Sequence, residues 1–281
     1  MSFPRRITAI LSAVLFMGTS LFSCGNKTSE SSETYPEINI TFFDVGKADS
    51  ILISTENSNV IIDCGEKGDG KEIVQFLEEK GAATVDYLII THYDKDHVGG
   101  ASKVIKSLDV KNVLAPDYEE ISEETEKYEK ALAGKNITPQ RLTSDLSFDL
   151  DGASYTVYAP KETYYGEDND NDFSLVTKMQ YHDVSFLFTG DAMEQRLEEI
   201  MDIGKCNLLK VPYHGRKLDN LKDFLESTKP DCAVVCTSAD EFSSKTEKAL
   251  RELDIKTYAT CYNGRITVSS NGRDMSVSTE K

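Results

Sequence analysis

Five times along this chain of 281 residues a short apolar run halts at an aspartate or a histidine. Asp44 follows Ile-Thr-Phe-Phe, Asp63 follows Val-Ile-Ile, His92 follows Leu-Ile-Ile-Thr, Asp191 follows Phe-Leu-Phe-Thr-Gly, and His214 follows Leu-Leu-Lys-Val-Pro-Tyr. Apolar runs of this length read as β-strands, and strand ends are where αβ proteins build their sites. A polar residue after a strand is ordinary, and a lone histidine is more often solvated or hydrogen-bonded than a ligand. Five such endings, which with His97 just beyond His92 take in three of the chain's four histidines, are harder to dismiss.

Other runs complete the pattern. Strands are expected at 40–43, 51–54, 60–62, 87–90 and 112–115, with helices at 71–80 and 102–108 and a charged surface helix from about 119 to 132. Two strand pairs follow, 146–148 with 155–158 and 174–179 with 184–188, the second joined by a turn at 180–183. Helices at 193–201, 221–226 and 245–253 are interspersed with strands at 208–211 and 233–235, and strands near 266–268 and 275–277 close the chain. This order implies two packed sheets flanked by helices, an α/β fold built as a four-layer α/β/β/α sandwich.

The N-terminal stretch stands apart from that pattern. Arg5 and Arg6 precede an apolar run ending Leu21-Phe22-Ser23-Cys24, the layout of a secretory signal over 1–24. Its last four residues resemble a bacterial lipobox, which would make Cys24 a lipidated N-terminus; an uncleaved anchor or an ordinary signal are the alternatives. Residues 25–37, rich in Ser, Thr and Glu, cannot bury enough apolar surface to offset their ordering entropy and read as a flexible polar tether. Residues 38–281 then form one large αβ domain, exported and lipid-anchored to the bacterial cell envelope, or else secreted. Nothing after Cys24 approaches the roughly 20 apolar residues that span a bilayer, so membrane contact is expected through the lipid alone.

The net charge is −17, and removal of Arg5 and Arg6 with the signal makes it −17 − 2 = −19. Such a body repels a phosphate backbone, and no basic run interleaved with aromatics offsets it, so nucleic acid is a disfavoured partner. Cys64, Cys206, Cys232, Cys236 and Cys261 lack paired CxxC spacing, which argues against a zinc knuckle; no disulfide is assigned.

Within His92-Tyr93-Asp94-Lys95-Asp96-His97, four potential ligands fall in six residues, and Val98-Gly99-Gly100 allows a tight turn before a helix. Imidazole and carboxylate together suit a hard-to-borderline divalent cation. The fourth histidine, His182, falls in the turn of the 174–188 hairpin, roughly 20 Å from Asp191 at ~3.3 Å per strand residue. The same geometry sets Asn171 and Asp172 beside Asp191.

Residues 91–100 resemble the HxHxDH signature of the metallo-β-lactamase superfamily, in a variant that carries Asp94 for the middle histidine. Phe43-Asp44-Val45-Gly46, Asp49-Ser50, Ile62-Asp63-Cys64-Gly65, Thr189-Gly190-Asp191 and Lys210-Val211-Pro212-Tyr213-His214-Gly215 extend the likeness, in order, to ComEC-type DNA-uptake competence hydrolase domains. The resemblance implies a first metal on His92, Asp94 and Asp191 and a second on Asp96, His97, Asp191 and His214, with Asp191 bridging. One or two divalent ions, Zn or Mn, are implied, and the extra carboxylate tilts the set toward Mn. Asp172 is a weaker candidate ligand; Asp44, Asp63 and Asn171 would orient the ligands.

The same resemblance implies a metal-dependent hydrolase that cleaves a phosphodiester or related ester by attack of hydroxide held on the metals. Asp96 and His97 would stand at the reaction centre, with Lys217 or Arg216 as oxyanion stabiliser. The expected substrate is a small-molecule or nucleotide-like phosphoester. A lipid-anchored binding protein that keeps the fold without turnover, and an exported nuclease acting on DNA, stay open as alternatives.

Overall fold

A computed structural model describes residues 35–166 and 169–281. The signal over 1–24, the lipid attachment at Cys24 and the tether as far as residue 34 lie outside the described residues. The tether was expected to reach residue 37, but Tyr35 stacks on His182 with ring centroids 3.3 Å apart and the Pro36 carbonyl accepts from Tyr181 Oη at 2.7 Å. Two ring faces and a satisfied carbonyl outweigh the polar character of the preceding segment.

Eight strands, β1 (Ile38–Phe42), β2 (Ser50–Ser54), β3 (Asn59–Cys64), β4 (Thr84–Ile89), β5 (Asp109–Pro116), β6 (Gln140–Leu142), β14 (Ile266–Ser270) and β15 (Met275–Thr279), form one sheet in the order β15-β14-β1-β2-β3-β4-β5-β6. The second sheet runs β13-β12-β11-β10-β9-β8-β7 and contains β7 (Leu146–Leu150), β8 (Ala153–Tyr158), β9 (Val176–Tyr181), β10 (Val184–Phe188), β11 (Leu208–Lys210), β12 (Cys232–Val235) and β13 (Lys256–Ala259).

Side-chain alternation along the strands builds the layers. Ile51 and Ile53 of β2 face the interior between the sheets while Leu52 faces the helices outside; Phe186 and Phe188 of β10 point inward while Leu187 points out. One outer face is covered by α1 (Gly70–Glu79), α2 (Lys95–Val98), α3 (Ala101–Ser107) and α4 (Glu123–Lys135). The other carries α5 (Glu194–Glu199), α6 (Leu221–Thr228) and α7 (Ser244–Glu252). The short α8 (Thr260–Asn263) follows β13. The expected four-layer α/β/β/α sandwich is the fold observed.

The long charged helix starts at Glu123, not near 119, because Ser122 caps it: Ser122 Oγ accepts from the Thr125 amide at 3.2 Å and Thr125 Oγ1 accepts from the Ser122 amide at 2.9 Å. Such a cap contributes about 1 kcal/mol. Residues 119–121 are thereby left as a loop.

Gly70 and Gly100 pack backbone to backbone between α1 and α3. A Cβ on Gly100 would lie 2.1 Å from the Cys64 carbonyl oxygen and 2.6 Å from the Gly70 nitrogen, with no side chain able to yield. Gly100→Ala is expected to destabilise the fold by about 2 kcal/mol through overpacking, read as a lower urea midpoint at unchanged slope. An unshifted midpoint would mean that these backbones separate freely.

Candidate metal centre

The site forms where β3 and β4 of one sheet and β10 and β11 of the other run out at the same edge. Leu175 N donates to the Thr91 carbonyl at 2.9 Å, and Asp49 N donates to the Asp96 carbonyl at 3.1 Å, so the loops brace one another. Asp63 ends β3 in the left-handed region at φ 57. Its carboxylate accepts from the Thr91 amide at 2.8 Å and from Thr91 Oγ1 at 2.6 Å. Asp63 therefore fixes the start of the 91–97 segment and faces His97 Nδ1 at 2.8 Å.

These contacts decide which imidazole nitrogens carry lone pairs. His97 Nδ1 faces the Asp63 carboxylate and His214 Nδ1 faces the Cys236 carbonyl at 3.0 Å. Both partners only accept, so each Nδ1 carries the proton. The two Nε2 atoms face each other at 3.3 Å, and each presents a lone pair once its imidazole is neutral, as a ligand to a cation must be. His92 follows the same logic: Thr91 Oγ1 spends its hydrogen on Asp63 and so accepts from His92 Nδ1 at 3.1 Å. That leaves His92 Nε2 buried without a hydrogen-bond partner. Three buried imidazole nitrogens that converge on the Asp191 carboxylate, one of them with no hydrogen-bond partner, fit a cation.

The carboxylates agree. Asp191 Oδ2 lies 2.9 Å from His214 Nε2 and 3.5 Å from His97 Nε2, and Asp96 Oδ2 lies 3.7 Å from His214 Nε2. Two triplets, His92–His97–Asp191 and Asp96–His97–His214, each bring their ligand atoms within 4.8 Å of one another. Asp94 Oδ2 stands 3.6 Å from His92 Nε2 at the open side. The neighbouring His92 imidazole is the main influence that holds the Asp94 carboxyl below its usual pKa, against the effect of burial. Burial opposes charge on both Asp191 and His97. His214, His97 and Lys210 nevertheless hold Asp191 well below the carboxylate range, and Asp191 and Asp63 hold His97 well above the imidazole range. The site is thus a dense, charge-compensated pocket with His92, Asp94, Asp96, His97, Asp191 and His214 all brought together.

Four expectations need correction. Asp44 does not approach the histidines; it pairs with Lys281 Nζ at 2.9 Å. Asp172 is buried, but Oδ1 accepts from the Met193 and Arg196 amides at 2.7 and 3.2 Å and Oδ2 from Asn169 Nδ2 at 2.8 Å. It caps the start of α5 and has no lone pair aimed at the site. Its neighbour Asn171 lines the cleft instead, with Oδ1 buried and unpartnered, which makes the amide oxygen a candidate ligand in its own right and not only an orienting group. Lys217 is exposed and paired with Asp219, away from the cleft. Arg216 and Lys47 line it, and Lys47 Nζ reaches to 3.6 Å from Asp96 Oδ2. His182 sits in the far hairpin turn, as geometry requires.

Two site residues had escaped the sequence reading as chemistry. Lys210, only 1% exposed, pairs with Asp49, lies 3.4 Å from Asp191 Oδ1 and donates to the Gly190 carbonyl at 2.7 Å. Its ammonium fills the space among Asp49, Asp191 and His214, a triplet that would otherwise suit another metal. A lysine inside Leu-Leu-Lys-Val was the available signal, since a charge within a buried strand needs a partner.

A family model of the metallo-beta-lactamase superfamily matches residues 43–239. Among curated proteins, the chain is 25% identical over 253 residues to ComE operon protein 3 of Bacillus subtilis, covering 81% of this chain and 32% of that protein. It is 28% identical over 207 residues to Recombination protein 2 of Haemophilus influenzae, covering 71% of this chain and 24% of that protein. The chain spans a third or less of the length of these relatives. Among solved structures, YhfI from Bacillus subtilis superposes with a TM-score of 0.57 at 11% identity, over 80% of this chain and 96% of that one. CmlA, a diiron β-hydroxylase from Streptomyces venezuelae, superposes with a TM-score of 0.55 at 14% identity, over 83% and 54%. Both likenesses concern the fold.

Proposed function

Because the chain belongs to the metallo-β-lactamase superfamily, with ComEC-type competence proteins among its relatives, we propose that it is a metal-dependent hydrolase cleaving a phosphodiester. The observation that carries this reading is the convergence of three buried imidazoles on one carboxylate: His92 Nε2 has no partner, and the Nε2 atoms of His97 and His214 face each other at 3.3 Å beside Asp191. What divalent cations supply when bound there is Lewis-acid polarisation of the ester and a water of lowered pKa.

The chain's own residues do the rest. His92, His97, His214, Asp94, Asp96 and Asp191 hold the ions, and Asp63 keeps His97 in its ligating tautomer. Lys47 and Arg216 draw an anionic substrate into a cleft of about 290 Å³ that Asp94, Asp96 and Asp191 also line. Hydrolysis forms a P–O bond to the attacking water and breaks the P–O bond to the leaving group, which takes up the proton that water releases. The fold by itself does not choose this chemistry, since the same scaffold carries a diiron hydroxylase. The cationic rim over a carboxylate-rich donor set is what favours a phosphoester.

The test is turnover of bis-p-nitrophenyl phosphate by the chain loaded with Mn or Zn, against p-nitrophenyl acetate. Metal-dependent phosphodiester cleavage, lost in Asp96→Ala, is expected; no metal-dependent turnover of either reporter would sink the hydrolase reading. In the same assay Lys217→Ala is expected to retain kcat/KM within about twofold, because its exposed pair with Asp219 is worth little and lies outside the cleft. A tenfold loss would return Lys217 to the mouth.

A further inference from the structure

We infer that Tyr213 is a substrate-contacting hydrogen-bond donor, its phenol O–H bonding a non-bridging oxygen of the phosphoester next to the metal ligand His214; this rests on the phosphoester reading above.

Tyr213, His214 and Gly215 are three consecutive residues in the left-handed region, at φ 49, 49 and 72. Two carry side chains, and each such residue costs on the order of 1–3 kcal/mol, a strain that persists only where the surroundings over-determine it. The strain has a geometric result. In an extended segment, neighbouring side chains point to opposite sides. Here Tyr213 and His214, adjacent in sequence, both line the same cleft with Asp94, Asp96 and Asp191.

The phenol is also oriented for donation. Arg216 Nη1 donates to Tyr213 Oη at 3.2 Å, and the guanidinium lies over the ring at 5.1 Å from its centroid. Arg216 is itself held by Glu241, whose carboxylate accepts from Nε at 2.5 Å. A phenol oxygen that accepts from a guanidinium keeps its own hydrogen for another acceptor, and among the described residues none takes it. Tyr213 therefore offers a neutral donor beside a cation fixed by Glu241, with Lys47 lining the same cleft. That combination suits a phosphoryl oxygen that gains charge as the bond to the attacking oxygen forms.

The experiment compares wild type with Tyr213→Phe, which keeps the ring, the φ preference and the guanidinium contact while removing the donor. On bis-p-nitrophenyl phosphate, kcat is expected to fall about 10²-fold with KM changed far less, the pattern of a donor used in the transition state. Inorganic phosphate as a competitive inhibitor is expected to bind about tenfold more weakly to the metal-loaded variant. Metal content is expected to stay at the wild-type value. Tyr213→His, which adopts positive φ more readily and restores an N–H donor, is expected to recover part of both losses. Wild-type kcat and phosphate affinity in Tyr213→Phe overturn the inference, as does a loss that tracks lost metal or is not recovered at all by Tyr213→His. A wild type that binds phosphate but cleaves no phosphodiester overturns the functional reading instead, and phosphate affinity still decides Tyr213.

Discussion

Asp191→Asn is expected to lower kcat/KM on the order of 10³-fold, about 4 kcal/mol of transition-state stabilisation, and to leave less metal bound than in wild type. The substitution preserves shape and removes only charge and acceptor character. In the native site Asp191 Oδ2 faces two imidazole Nε2 atoms, at 2.9 and 3.5 Å, and Oδ1 faces the Lys210 ammonium at 3.4 Å. An asparagine turned with its oxygen toward Lys210 would direct an N–H at His214 Nε2, occupying that nitrogen with a hydrogen bond in place of a cation. The site would close on itself, so a folded protein with low metal content and low turnover is the outcome sought by elemental mass spectrometry and steady-state kinetics. Full metal content with full turnover would show that Asp191 neither bridges nor ligates.

Lys210→Met should be the most destabilising single change in the metal-free protein. Lys210 and Asp49 are both 1% exposed, and burial disfavours the Lys210 charge while Asp49 and Asp191 restore it, holding the ammonium above its usual pKa. Methionine fills most of the volume but leaves two buried carboxylates facing one another, a loss of about 3–5 kcal/mol. Asp49→Leu removes the ammonium's nearer carboxylate but leaves it Asp191 and the Gly190 carbonyl, so it is expected to cost less than Lys210→Met. The double variant should recover part of the sum, because Asp49 and Lys210 then leave no charge facing an absent partner and only Asp191 has lost a cation. Excess metal should restore part of the stability of Lys210→Met, since cations then offset Asp191. Chemical denaturation of the two singles and the double closes the cycle; strictly additive losses would mean that the pair is not coupled.

The two aspartates that end strands show how far local sequence reaches. Asp63 was expected to orient a ligand, and it holds His97 Nδ1 at 2.8 Å. Asp44 carried the same signal and instead meets Lys281, because the loop after β1 continues past it and delivers Asp49 to the interior. At 171–172 the sequence placed two polar residues beside Asp191, and a single 3-10 turn decides that Asp172 caps a helix while Asn171 faces the cleft. At 216–217 three left-handed residues upstream decide that Arg216 lines the mouth and Lys217 points away.

By itself the sequence determined the strands, most helices, the layered fold and the clustered ligands of 92–97, because alternation, helical spacing and ligand proximity act over a few residues and need no knowledge of what lies opposite. Only the tertiary structure decided the short strands β6 and β13, whose runs are too brief to stand out, and the partners of Asp44, Asp49, Asp172, Lys210 and Lys217. A buried charge is settled by whichever distant group the fold brings within hydrogen-bond distance, and the buried pair of Lys210 and Asp49 joins segments of opposite sheets.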